Sequence, residues 1–160
     1  MKKRAEIKTW KNLESAFAGE SMAYQKYVYF AKLARKKGNE EVAQLFEDTA
    51  KQEVGHAAGH LSFLYPEDKL TVKDLLILAS EGETYEYTEM YPGYAETAKI
   101  EGQSAALKEF EKQQVESSTH AKNFQEKLEK ISKVFAGLAK VEKKHADQYI
   151  KILATLWKNY

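Results

Sequence analysis

The sequence predicts an all-α chain folded as a four-helix bundle, and three observations lead to that class. Gly and Pro are scarce, with 8 and 2 among 160 residues. Apolar side chains recur at alternating spacings of three and four along most of the chain, which is typical of helices. Few β-branched residues alternate with polar ones, as they would in strands. The length suits one domain with a core of its own, so we expect a single domain over residues 1–160.

Composition excludes several classes of function. The chain has 25 Lys and Arg against 24 Asp and Glu, so no basic excess points to nucleic acid. The longest apolar run, residues 75–79, is far too short to span a bilayer, and the basic N-terminal residues precede no apolar stretch of a signal peptide. Cysteine is absent, which fits a reducing compartment and excludes a cysteine-ligated iron site within this chain. We expect a cytoplasmic protein without nucleic-acid or membrane partners.

The first two helices are delimited by capping and breaking residues. Helix A is predicted over about residues 9–37, with Gly38 just beyond its end as a C-cap. Asn39 can cap helix B, which is predicted to reach about Phe63, before the break at Pro66.

The second half of the chain has fewer breaks. Thr71 and Asp74 resemble a capping box that opens helix C, which is predicted to reach about Glu101 with a kink at Pro92. After Gly102, residues 103–158 contain no strong helix breaker. The last predicted helix is therefore much longer than a bundle of this size requires.

Each predicted helix has an inward face that is apolar at both ends and ionisable near its middle. The ionisable residues are Glu20 on helix A, Glu53 and His56 on helix B, Glu83 and Glu86 on helix C, and Glu142 and His145 on the last helix. Four helices would thus bring five carboxylates and two imidazoles to one level of a bundle.

This set of side chains points to a metal centre. A lone carboxylate in an apolar core costs several kcal/mol, and several together cost much more unless cations neutralise them. No Lys or Arg occupies these faces, so metal ions are the natural counter-charge. Glu-x-x-His places both donors on one helix face, and two such motifs with Glu from two further helices form the ligand set of di-iron and di-manganese bundles. We expect two iron ions, with manganese as an alternative.

Four stretches resemble the helix signatures of a known family. They are AFAGESMAYQKYVYFA (16–31), AKQEVGHAAGHLSFL (50–64), GETYEYTEMYPGYA (82–95) and FAGLAKVEKKHADQY (135–149). They resemble rubrerythrins, and more closely erythrins, the versions that lack a rubredoxin domain. The resemblance covers most of residues 10–158.

The resemblance implies a ferritin-like bundle that holds two irons and reduces hydrogen peroxide. It also implies electrons from a separate donor such as a rubredoxin, and a homodimer in which helices are often exchanged. Carried over position by position, it implies the seven residues named above as metal ligands. It further implies that Tyr27 and Tyr91 hydrogen-bond to ligand carboxylates. An oxidase or ferroxidase that uses dioxygen on the same site, and a metal-binding bundle without enzymatic activity, stay open as alternatives.

The sequence departs from the family in its last helix. Family spacing would place the final Glu-x-x-His about 25 residues earlier, where Ser117 and His120 lie. Positions 25 residues apart match in this region, as in Lys108/Lys133, Phe110/Phe135, His120/His145 and Ala121/Ala146. The pattern indicates a tandem copy of the fourth helix, of which only the second copy keeps the Glu. We therefore predict Glu142 and His145 as ligands and retain His120 as their rival.

Two paths would bring the second copy to the centre in the right direction. In the first path, helix C and the last helix are both longer, with a turn at residues 117–119. In the second path, residues 103–158 form one helix of roughly 80 Å, at ~1.5 Å per residue, which delivers its ligands to a partner subunit.

Overall fold

The computed structural model describes residues 8–157, with side chains up to Ala154. This part of the chain is helical almost throughout and contains no β-strand, as the sequence predicts. The predicted end of the last helix near Lys158 and the side chain of Leu156 lie outside the described residues. No helix within residues 8–157 is long and apolar enough to cross a membrane.

The described residues form two compact units. The first comprises those up to Leu70 and the second those from Thr71 onward. Each unit is a set of helices in contact with one another, and the single domain expected over residues 1–160 stays a prediction.

The first unit is a helical hairpin of α1 (Thr9–Lys36) and α2 (Glu40–Leu64). Gly38 has φ of +79°, a left-handed conformation that favours glycine and ends α1 as predicted. The Asn39 side chain accepts a hydrogen bond from the Val42 N–H at 3.0 Å and so begins α2, which confirms the predicted cap.

Small residues let the two helices of the hairpin approach each other. Their contact buries Ala31, Ala34, Ala43 and Ala50. Beside these, the Phe46 ring lies 5.5 Å from that of Phe30, between ring centroids. The hairpin is therefore held by close backbone packing and an aromatic cluster.

The second unit begins with α3 (Val72–Tyr85), which the predicted capping box opens. Asp74 Oδ2 accepts from the Thr71 N–H at 2.9 Å, and Thr71 Oγ1 accepts from the Asp74 N–H at 3.2 Å. A π-helical segment (Glu86–Met90) follows and leads into α4 (Tyr91–Ile100). Gly102, with φ of +70°, comes just after α4.

The π-helical segment ends just before Pro92, the position at which the sequence predicts a kink. The Tyr91 N–H donates to the Glu86 carbonyl, five residues back. The next bond of that series would run from residue 92 to the Tyr87 carbonyl, but proline has no N–H. The Gln114 side chain donates to that carbonyl instead, at 3.1 Å. A side chain of the last helix thus satisfies the backbone group that Pro92 leaves without a donor.

The last helix, α5 (Ser104–Trp157), has 54 residues and passes through positions 117–119 without a turn. Of the two predicted paths, the structure has the single continuous helix. Its first part packs on α3 and α4, where Ser80, Ala98 and Ala121 are buried.

The remainder of α5 runs past the start of α3. Val72, the first residue of α3, lies beside Ile131 and Phe135, which line the same surface cavity. From residue 132 to residue 154 every side chain is exposed. We call residues 132–154 the distal segment of α5.

Candidate metal centre

The hairpin brings together three of the predicted ligands. One donor atom from each of Glu20, Glu53 and His56 lies within 4.8 Å of the others. Glu53 Oε2 lies 2.8 Å from His56 Nδ1, as the i, i+3 spacing on one helix face allows. The Glu53 side chain is only 14% exposed, so this carboxylate has little access to water.

The second unit brings Glu83 and Glu86 against the first copy of the fourth-helix sequence. Glu83 Oε1 lies 3.3 Å from His120 Nδ1. The Ser117 hydroxyl donates to Glu86 Oε2 at 2.9 Å, and Ser117 is 4% exposed. Family spacing places a carboxylate of the fourth helix at this position. Ser117 lies there instead and hydrogen-bonds to Glu86.

One atom of this group has no partner. Glu83 Oε2 is buried and accepts no hydrogen bond among the described residues. Burying an unpaired polar atom costs roughly 1–3 kcal/mol, and more when the group is charged. Within residues 8–154, no Lys or Arg forms an ion pair with any of the four glutamates in the two groups.

These features fit a metal ion. Carboxylate and imidazole donors are the ligands that iron and manganese take in helical bundles. A cation beside Glu83 would satisfy its orphan oxygen, and a cation among Glu20, Glu53 and His56 would compensate the two carboxylates. The donors of each unit therefore have the chemistry, and the uncompensated charge, of part of a metal centre.

The two predicted tyrosines have different surroundings. Burial, and then the nearby Glu86 and Glu83 carboxylates, raise the pKa of Tyr91 above its ordinary value. Its neutral phenol is thus stabilised beside the glutamates. Tyr27 packs on Phe46, with ring centroids 5.8 Å apart. Hydrogen bonds from the two phenols to ligand carboxylates stay a prediction.

Glu142 and His145 lie elsewhere on α5. Both are exposed on the distal segment, and His145 lies 25 residues beyond His120, roughly 37 Å along the helix at ~1.5 Å per residue. The structure therefore brings Glu83 together with His120 and does not bring it together with His145 of the same unit. Ligation by Glu142 and His145 stays a prediction that requires a second chain or another arrangement.

Two polar residues of α5 have roles that the sequence did not indicate. The Gln114 side chain donates to the Tyr87 carbonyl. Ser117 was expected only as a lost carboxylate, yet it donates to Glu86. Pro92 is the sequence signal that could have indicated this role of Gln114. Because proline has no N–H, the Tyr87 carbonyl needs another donor.

Comparisons with known proteins agree with a metal-binding helical protein. Residues 11–125 match the sequence model of the rubrerythrin family, which covers most of the chain. The rubrerythrin of Porphyromonas gingivalis is 35% identical over 158 residues, which span 92% of this chain and 66% of that protein. Nigerythrin of Nitratidesulfovibrio vulgaris is 38% identical over 128 residues, which span 72% of this chain and 63% of that protein.

The chain belongs to the rubrerythrin family, a family of di-iron proteins. Membership confirms the predicted fold class, all-α and ferritin-like. A solved structure of nigerythrin in a mixed-valence state is 33% identical, with a TM-score of 0.40, over 81% of this chain and 70% of that chain. The chain spans about two thirds of the length of its curated relatives.

The matched range also bears on the two copies of the fourth-helix sequence. It includes Ser117 and His120 and ends at residue 125, before the distal segment. The copy that the family model covers is thus the one that contacts Glu83 and Glu86.

Replacing Ser117 with Glu tests whether this group of residues binds metal. Ser117→Glu restores Glu-x-x-His in the first copy and sets a third carboxylate beside Glu83 and Glu86. Like charges at close range destabilise the metal-free form, so we expect a loss of roughly 1–3 kcal/mol in unfolding free energy. Ferrous or manganous ions should then raise the melting temperature of the variant more than that of the wild type.

Ser118→Glu is the matched control, because Ser118 is exposed and one residue away. Ser118→Glu should not appreciably change the unfolding free energy of the metal-free protein. It should also leave the metal-induced rise in melting temperature as it is in the wild type. Equal metal-induced shifts in wild type, Ser117→Glu and Ser118→Glu would show that the Glu83 group does not bind the ion.

Proposed function

We propose that this protein is a di-iron oxidoreductase that reduces hydrogen peroxide to water with electrons from a separate donor protein. The observation that carries the proposal is the set of partly shielded carboxylates without a Lys or Arg partner among the described residues, above all Glu83 with its orphan oxygen. Membership of a di-iron family supports the choice of iron. Manganese, which accepts the same donors, is the alternative metal.

The proposed ligands come from both units. Glu20, Glu53 and His56 are the donors of the hairpin, and Glu83 and Glu86 are the donors of α3 and the π-helical segment. Two bound iron ions would supply one electron each, which with two protons convert one peroxide to two water molecules. The carboxylates would hold these ions and offset their charge.

The neighbouring side chains would keep the donors in place. Ser117 orients Glu86 by its hydrogen bond, and Gln114 fixes the π-helical segment on which Glu86 lies. The raised pKa of Tyr91 keeps its phenol protonated and able to donate a hydrogen bond to a carboxylate or to an oxygen of the substrate. A protonated donor near the reacting oxygens suits a reaction that consumes protons.

Two sets of residues compete for the fourth-helix position of the centre. The sequence favours Glu142 and His145 because together they form a complete donor pair. A specific observation favours His120, whose Nδ1 lies 3.3 Å from Glu83. We propose His120 as the imidazole ligand and keep the Glu142 and His145 prediction as its rival.

The remaining assignments also belong to this proposal. The electron donor in this proposal is a separate small redox protein such as a rubredoxin, and residues 1–160 contain no cysteine that could hold a second iron site. A homodimer, with or without exchanged helices, is the proposed assembly. Location in the reducing cytosol, expected from the same absence of cysteine, stays a prediction.

The oxidant is tested by single-turnover kinetics. Protein loaded with ferrous iron without oxygen is mixed with hydrogen peroxide or with dioxygen, and the ferric absorbance is followed by stopped flow. We expect much faster oxidation by peroxide. Faster oxidation by dioxygen would favour the oxidase or ferroxidase, and stoichiometric binding without turnover of either would favour a metal-binding bundle.

The ligand choice is tested by one matched pair of variants, His120→Ala and His145→Ala. Loss of a residue that only hydrogen-bonds to a ligand typically lowers metal affinity roughly 10–100-fold. Loss of a ligand itself should lower the affinity for iron by more than that. We expect this loss in His120→Ala alone, measured by anaerobic titration with ferrous iron. The reverse pattern would establish His145, and with it the sequence-based prediction.

A further inference from the structure

The candidate ligands of the second unit form a small group with a definite charge. Glu83 and Glu86 are its two carboxylates, and neither has a Lys or Arg partner among residues 8–154. His120 Nδ1 lies 3.3 Å from Glu83 Oε1, and an imidazole that binds a metal ion does so in its neutral form. The group therefore offers two negative charges, which one divalent ion neutralises.

Ser117 faces this group from α5 as a neutral donor. It is 4% exposed, and its hydroxyl donates to Glu86 Oε2 at 2.9 Å. Glu116, which precedes it, does not join the group, because its side chain is 45% exposed and lies 3.6 Å from Lys112 Nζ. The buried position beside Glu86 thus supplies a hydrogen bond and adds no charge.

The 25-residue repeat shows the alternative to serine at this position. Ser117 and His120 correspond to Glu142 and His145, so the same helix sequence occurs once with a hydroxyl and once with a carboxylate. A carboxylate at position 117 would place a third negative charge beside Glu86. Its attraction for a metal ion is proportional to the charge of that ion, so it would stabilise a trivalent ion more than a divalent one. With serine at this position, a trivalent ion does not gain that additional stabilisation.

We propose that Ser117 is a specificity-determining residue, which limits the metal position of the second unit to two carboxylates and thereby favours a divalent ion over a trivalent one. The inference rests on the proposed function, because it requires a metal ion at Glu83, Glu86 and His120. For iron, it means that serine favours the ferrous over the ferric state, compared with a third carboxylate at the same position.

Ser117→Asp and Ser117→Asn are the matched pair that tests this inference. The two new side chains are nearly equal in size, and only aspartate adds a charge. Metal-free full-length protein is titrated with Mn²⁺ and with Ga³⁺, a redox-inert trivalent ion close in size to ferric iron, each in competition with a chelator of known affinity. The ratio of Ga³⁺ affinity to Mn²⁺ affinity should be at least about tenfold higher in Ser117→Asp than in Ser117→Asn.

Iron provides a second readout that does not depend on enzymatic activity. A tenfold change in the relative affinity for two states that differ by one electron corresponds to about 59 mV. The reduction potential of iron-loaded Ser117→Asp should therefore lie at least about 59 mV below that of Ser117→Asn. Ser118→Asp is the control for position, because Ser118 is exposed, and its potential and affinity ratio should match those of the wild type.

Glu86→Gln tests the same charge rule without enlarging residue 117, so it decides the question if Ser117→Asp does not fold. Glutamine has the shape of glutamate and can still accept the hydrogen bond from Ser117, but it removes one charge. The ratio of Ga³⁺ affinity to Mn²⁺ affinity should fall at least about tenfold below that of the wild type.

The outcomes separate this inference from the proposed function. Equal ratios in Ser117→Asp and Ser117→Asn, or an unchanged ratio in Glu86→Gln, would overturn the inference and leave metal binding by the protein intact. Binding of neither ion by the wild type would contradict the proposed function as well.

Discussion

The candidate site depends on one electrostatic constraint, which is that four partly shielded carboxylates have no Lys or Arg partner among the described residues. Glu83 Oε2 is buried without a partner, and Glu53 is largely shielded beside Glu20 and His56. Such groups lower the stability of a metal-free protein, because like charges are held close together and an unpaired oxygen is removed from water. The helices that carry them are otherwise well formed, with regular caps and apolar contacts. Bound cations would compensate the charge of these carboxylates.

Much of the second unit serves to hold Glu86 in position. The π-helical segment begins at Glu86 and ends just before Pro92, whose missing N–H would leave the Tyr87 carbonyl without a donor. Gln114 supplies that donor, and Ser117, one turn further along α5, donates to Glu86 itself. π-helical segments inside α-helices are frequent at functional sites. The irregular backbone and the Glu86 carboxylate therefore share the same support from α5.

The helices could be predicted from the sequence because they follow from local signals. Helical periodicity also selected five candidate ligands that the structure brings into two groups, and their ligation of metal stays a prediction. Gly38, Asn39 and the Thr71 capping box act within a few residues, and the position of Glu53 and His56 on one face follows from helical periodicity. The fourth helix was different. A repeat of 25 residues is close to seven helical turns, so His120 and His145 share one face of α5 and periodicity cannot separate them. Only the packing of α3 against α5 distinguishes them, and Gln114 and Ser117 have roles that arise only from that packing.

The central claim is that the carboxylates exist to bind two metal ions, and the most direct test is a count of bound ions. Ferrous iron is titrated into metal-free protein without oxygen, and the ions retained after gel filtration are measured by elemental analysis. The account predicts two per chain, and less in Glu86→Ala. No retained metal, or a single ion that Glu86→Ala leaves unaffected, would contradict it.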